Sequence, residues 1–78
     1  MANLVFFGPL VDLTQCRRDV SMGHTLDQIV DDVCRRFGDQ FATALASCSI
    51  WVDGEPAEPG ARIHEESEVA FLPPVSGG

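Results

Sequence analysis

Between Thr25 and Gly38 the chain can be little other than a helix with one apolar side. Leu26, Ile29, Val30, Val33, Cys34 and Phe37 fall at i, i+3, i+4, i+7, i+8 and i+11, a single continuous face, while Asp31, Asp32, Arg35 and Arg36 occupy the other side. Thr25 stands where an N-cap is wanted, and Gln28 follows three residues later, the capping-box spacing, with Asp27 favourable in the first turn. Gly38 supplies the stop. A helix apolar on one side must bury that side against something, and the flanking sequence offers strands.

Asn3 to Phe7 reads as a first strand, ended by Gly8-Pro9, and Leu10 to Gln15 as a connection to a second short strand around Arg17 to Ser21. After the helix, Asp39 to Ser47 reads as a second, shorter helix carrying Phe41, Ala42, Leu45 and Ala46. Ser49 to Val52 is a strand, Asp53-Gly54 a tight turn, and Glu55 to Ala57 a short return strand limited by Pro56 and Pro59. Pro59 to Ser67 reads as loop and turn, and Glu68 to Leu72 as the last strand. The order predicts an α+β domain, a mixed sheet of four to five strands around one main helix and a short second one; loop rules alone leave several such arrangements open.

Seventy-eight residues make one domain, near the lower limit for a core that folds without disulfides or metal. With 45% hydrophobic residues the chain reads as globular, and its apolar runs are too short to span a membrane. The N-terminus lacks the basic segment of a signal peptide, so a cytoplasmic location is expected. Twelve acidic residues against five basic ones, a formal charge of −7, disfavour nucleic acid and favour a basic partner surface. Every basic residue is arginine, so no side-chain amine is available for linking copies of the chain through isopeptide bonds, which argues against a polymer-forming tag.

Cys16, Cys34 and Cys48 are odd in number and show no C-x-x-C spacing, which fits reduced thiols better than a disulfide framework. Cys34 and Cys48 are expected as small buried hydrophobes. A zinc site would have to gather these thiols with His24 and His64 without any paired spacing, and neither histidine sits in a recognisable triad; no metal and no catalytic side chain are expected.

The end of the chain carries the chemical interest. Val69 to Leu72 run into Pro73-Pro74, which lack the N–H that a sheet ladder needs, so pairing stops at Pro73. Val75, Ser76, Gly77 and Gly78 have almost nothing to bury and are expected to project, giving a body of residues 1–72 and a flexible tail of residues 73–78. Gly77-Gly78, without Cβ atoms, could thread a narrow slot in another protein and present the terminal carboxylate there.

The ending Glu68-Val-Ala-Phe-Leu-Pro-Pro-Val-Ser-Gly-Gly78 resembles that of the small, sulfur-carrying subunit of molybdopterin synthase, a ubiquitin-like family with the β-grasp fold. Leu4-Val5-Phe6-Phe7 is also similar to that family's first strand. The loop after it departs from the pattern, with Pro9, Leu10, Val11 and Asp12 where many members carry an Arg and a Glu. The resemblance implies a β-grasp with the first and last strands parallel and adjacent. It implies adenylation of Gly78 by ATP in an E1-like adenylating enzyme, with a transient acyl-adenylate and no stably bound cofactor. Sulfur from a persulfide donor would then give a thiocarboxylate, inserted into the molybdopterin synthase large subunit to sulfurate a pterin precursor. On that reading Gly78 carries the reacting group, and Gly77, Ser76, Val75, Pro74, Pro73 and Phe71 serve insertion and docking; the chain is not catalytic alone. Two alternatives stay open: a sulfur carrier for another acceptor, as in thiamin thiazole or cysteine biosynthesis, and a ubiquitin-like binding module without sulfur chemistry. One helix and a short second one can cover only one sheet face, so an apolar patch on the other is expected as a partner surface.

Overall fold

The computed structural model describes residues 1–58 and 60–74. Five strands form one mixed sheet in the order β2-β1-β5-β3-β4, with β1 at Ala2–Phe6, β2 at Arg18–Ser21, β3 at Ser49–Val52, β4 at Glu55–Pro56 and β5 at Glu68–Leu72. β1 and β5 pair in parallel from Asn3↔Glu68 to Phe6↔Phe71, and the other neighbours are antiparallel. The adjacent, parallel first and last strands expected from the resemblance are therefore present, and the fold is a β-grasp.

Three helices accompany the sheet, α1 at Pro9–Thr14, α2 at Leu26–Phe37 and α3 at Asp39–Leu45. The first corrects the expected Leu10–Gln15 connection. Gly8-Pro9 does end the strand, but Pro9 then takes the first helical turn, where its missing N–H is no loss and its fixed φ suits the helix. Leu10 and Thr14, one turn apart, are buried, and the Thr14 hydroxyl donates back to the Leu10 carbonyl at 2.9 Å. Smaller differences lie at ends: β1 begins and ends one residue before Asn3–Phe7, α3 stops at Leu45 short of Ser47, and β4 leaves out Ala57.

α2 begins as its sequence predicts. Gln28 N–H donates to Thr25 Oγ1 at 3.2 Å, but the reciprocal arm reaches one residue further back, Gln28 Oε1 accepting from His24 N–H at 2.7 Å. At the other end Gly38, φ 92°, donates to the Cys34 carbonyl at 3.0 Å while its own carbonyl accepts from Ala42, so one residue closes α2 and opens α3. Asp53 and Gly54, at φ 50° and 85°, turn β3 back on β4 in the manner of a two-residue hairpin.

The charged side of α2 does not all face solvent. Asp31 and Arg35 pair on its exposed surface, but Asp32 and Arg36 turn toward β2, correcting the expectation that all four point away. Asp32 accepts from the Ser21 hydroxyl at 2.8 Å, and Arg36 lies 3.2 Å from Asp19 and 3.3 Å from Asp32.

The core lies between the helices and one sheet face. Leu4, Phe6, Val69 and Phe71 from β1 and β5 meet Leu10, Leu26, Ile29, Val33, Phe41 and Leu45 from the helices, with Ile50 and Val52 of β3 partly buried against them. Its centre is aromatic. Phe6 stacks on Phe71 with centroids 5.5 Å apart, and both meet Phe41 edge-on at 5.9 and 6.4 Å. Because side chains alternate along a strand, Val5, Ala70 and Trp51 are left on the opposite face, where register sets Ala70 between Val5 and Trp51. No described helix packs on that face.

Candidate functional site

The expected site residues divide at Pro74. Val75, Ser76, Gly77 and Gly78 lie outside the described residues, whereas Phe71, Pro73 and Pro74 show how the chain leaves the sheet. Phe71 is fully buried, paired with Phe6 on one side and Ile50 on the other. It has no surface to offer a partner; its work is to bolt the end of β5 into the aromatic core. Leu72 makes the last ladder pair, with Ser49, and Pro73 and Pro74 emerge beyond it, half-buried and exposed respectively.

Around this exit the elements converge on a groove of about 210 Å³. Pro73 and Pro74 form one wall, Pro9 and Leu10 of α1 another, and Ala44, Ser47 and Cys48 at the end of α3 the third. The groove is apolar because α1 replaces what the sequence suggested was a bare loop, so the departure from the family pattern at Pro9 to Asp12 sits directly beside the tail's root.

None of this constitutes a reactive centre in the body. Cys48 lines the groove, but its thiol donates to the Ala44 carbonyl at 3.3 Å and burial pushes its pKa up, so it stays protonated at neutral pH. Cys34 is raised by burial and by the nearby Asp31. Both thiols are half-buried rather than fully buried as expected. Among the described residues no three His, Cys, Asp or Glu side chains stand close enough to hold a metal ion, and both histidines are exposed. What the body provides is support: a strand pinned in the core, stopped by two prolines, and followed by four residues, the last two of them glycines.

The uncovered sheet face is the second feature. Val5 is 8% exposed, Trp51, Ala70 and Leu72 are half-buried, and Phe7 just beyond β1 is 42% exposed. Val20 of β2, opposite Asn3, is 40% exposed. An apolar row with no helix over it among the described residues, on an otherwise acidic domain, has the composition of a contact surface.

Comparison with known proteins bears on this arrangement. The ThiS family matches residues 4–78, the whole chain apart from its first three residues and including the terminal glycines. The chain belongs to the ThiS family. Solved structures agree in fold over their full length. A chain of the BexX/CysO complex from Amycolatopsis orientalis is similar with a TM-score of 0.84 and 20% identity, covering 100% of both chains. Small archaeal modifier protein 1 from Methanosarcina acetivorans gives 0.85 and 15%, covering 99% of this chain and 95% of that one. A chain from the complex of subunits 1 and 2 of the molybdopterin-converting factor from Helicobacter pylori gives 0.74 and 18%, covering 99% and 97%. Curated protein sequences yield no match. At such identities the likeness is one of fold, the β-grasp, and two of these structures are of complexes with a partner protein.

One feature of this ThiS-family site was not legible beforehand. In the sequence Gly8 shows only as a strand breaker, yet it adjoins Pro73 in space. The parallel β1–β5 pairing is the signal that could have found it, since two strands ending level bring their following residues together.

Proposed function

We propose that this chain is the sulfur-carrying small subunit of a molybdopterin synthase, and that Gly78 is the residue on which sulfur travels. The observation that carries the reading is the exit itself. β5 is locked into the core through Phe71, ladder pairing ends at Leu72, Pro73-Pro74 follow, and the family match runs through to Gly78.

The chemistry follows from what a carboxylate can do. Oxide is a poor leaving group, so the Gly78 carboxylate must first attack the α-phosphorus of ATP, releasing pyrophosphate and forming an acyl-adenylate. This step is assigned to an E1-like adenylating enzyme. The terminal sulfur of a persulfide donor then attacks the acyl carbon and expels AMP. A second thiol on the donor cleaves the resulting acyl disulfide, becoming a disulfide itself and leaving a thiocarboxylate. Sulfur is the soft, nucleophilic end of that group, and inserted into a large subunit it attacks the pterin precursor. Gly77 keeps the approach narrow. Acid–base groups belong to the partner, consistent with thiols here that burial holds protonated.

The uncovered face around Val5, Ala70 and Trp51 would dock the large subunit while the tail enters its active site. A second reading keeps the same tail chemistry with another acceptor, in thiazole or cysteine synthesis; the ThiS family match favours it as much as the first. Intact mass after coexpression with an adenylating enzyme and a sulfur source tests both. An oxygen-to-sulfur mass gain confined to Gly78 is expected; no gain leaves a binding module without sulfur chemistry. Purified thiocarboxylated chain supplied to a molybdopterin synthase large subunit then separates the two, since failure to form molybdopterin selects the other acceptors. Deleting Gly78, or Gly77→Val, should abolish transfer with the unfolding midpoint almost unchanged, because glycine brings no side chain to a core and chain ends contribute little to stability.

A further inference from the structure

Gly8 occupies a backbone conformation and a place in the fold that favour glycine over any residue with a side chain. It lies at φ 58°, ψ −134°, and the Leu10 N–H donates to the Phe7 carbonyl at 3.2 Å across it. This is close to the first central position of a type II′ turn, where glycine is demanded. A Cβ built on Gly8 would stand 3.0 Å from Pro73 Cγ, with Pro73 Cβ at 3.7 Å and Cδ at 3.9 Å. The first separation is tighter than nearly all side-chain contacts, so with any Cβ at this position the Pro73 ring would have to shift by a few tenths of an ångström.

The consequence falls on the tail. Pro73 is held between the Gly8 turn and the groove formed with Pro9, Leu10, Ala44, Ser47 and Cys48. Proline fixes φ, and Pro74 bars Pro73 from the helical region, so the pair forms a short extended rod. A stiff rod clamped at its base points one way. Gly78 lies four residues beyond Pro74, a reach of about 13 Å when extended. The direction at Pro74 therefore decides where Gly78 can be delivered.

We propose that Gly8 is a positioning residue for the tail: by admitting the Pro73 ring it aims Val75 to Gly78, and so sets how often a docked carrier places the Gly78 carboxylate in the adenylating active site. The proposal rests on the sulfur-carrier reading. Gly8 itself touches no reacting atom.

Pyrophosphate release by an E1-like enzyme that thiocarboxylates the wild-type chain, measured with the carrier as varied substrate, tests it. In Gly8→Ala the sheet face still docks but the tail is misdirected, so kcat should fall roughly tenfold or more with KM little changed. A variant that is merely part unfolded behaves oppositely, because loss of folded carrier raises apparent KM and spares kcat. Since Gly8→Ala also strains the backbone, Pro73→Ala provides the second arm: it removes the ring, leaves the turn intact, and should lower kcat with the unfolding midpoint still well above the assay temperature. The double variant should be no slower than the worse single one, as both act through one contact. Wild-type kcat in Pro73→Ala, a pure KM effect in Gly8→Ala, or two losses that multiply would each overturn the proposal. Absence of thiocarboxylation in the wild type would instead remove the sulfur-carrier reading, a distinguishable failure.

Discussion

Phe71 shows how a residue can serve a tail it does not join. With no exposed surface, stacked on Phe6 and edge-on to Phe41, it transmits the rigidity of the core to the strand from which the tail departs. Phe71→Ala should cost about 3–5 kcal/mol and Ile29→Ala about 2–5 kcal/mol, most of the stability of so small a domain; urea unfolding followed by far-UV circular dichroism checks both. The thiols make a prediction of another kind. Cys34 and Cys48 have pKa values raised in the folded chain, so between the ordinary thiol value and the raised one the folded state binds more protons than the unfolded state. Their contribution to stability is whole below the ordinary thiol pKa and is lost as pH rises through the raised values. Iodoacetamide at slightly alkaline pH should accordingly modify both more slowly in the native protein than in urea; equal rates would contradict their protonated, half-buried state. Of the residues expected to matter, Pro73 and Pro74 could be read from chemistry alone because proline announces its missing N–H. Gly8 could not, because its constraint is a neighbour sixty-five positions away.

Among the elements, α2 was the most legible and α1 the least. α2 spans three turns with an unbroken apolar face, a cap and a glycine stop, all local signals that tertiary contacts reinforce. α1 has six residues, too short for periodicity to declare itself, and is held by packing of Leu10 and Thr14 instead. β2 illustrates a device visible only in space. Because Phe6 N–H bonds the Arg17 carbonyl, the antiparallel phase turns Val20's own N–H and C=O away from β1, toward the free edge of the sheet. Side chains occupy both: the Val20 N–H donates to Asp19 Oδ1 at 2.8 Å, and Arg36 Nη2 donates to the Val20 carbonyl at 2.8 Å. Such capping blunts an edge against pairing with another chain. Arg36→Ala should change stability by no more than about 1 kcal/mol, as partly exposed ion pairs do, while producing concentration-dependent self-association in sedimentation velocity. A variant that stays monomeric at every concentration would show that this edge needs no guard.

For the molecule as a whole, the proposed function divides the labour between a face that would dock and a tail that would react. Trp51 is the chain's sole tryptophan and lies on the uncovered face beside Ala70, so its fluorescence should shift when a large subunit binds. Trp51→Arg should weaken that binding by about 2 kcal/mol or more, the scale of an interfacial aromatic anchor, while leaving the unfolding midpoint nearly intact. Unchanged affinity would place the docking surface elsewhere. The strand–helix–strand order, the stop at Pro73 and the slim terminal glycines follow from local chemistry: apolar spacing, missing donors and missing side chains act within a few residues and are readable in one dimension. Which alternating set of β1 and β5 faces solvent does not. Both strands are apolar at nearly every position, so their sequence carries no phase, and only packing of the helices against Leu4, Phe6, Val69 and Phe71 decided that Val5, Ala70 and Trp51 remain outside. The meeting of Gly8 with Pro73 was likewise decided by tertiary structure, because parallel pairing joins chain segments whose separation in sequence leaves no local trace.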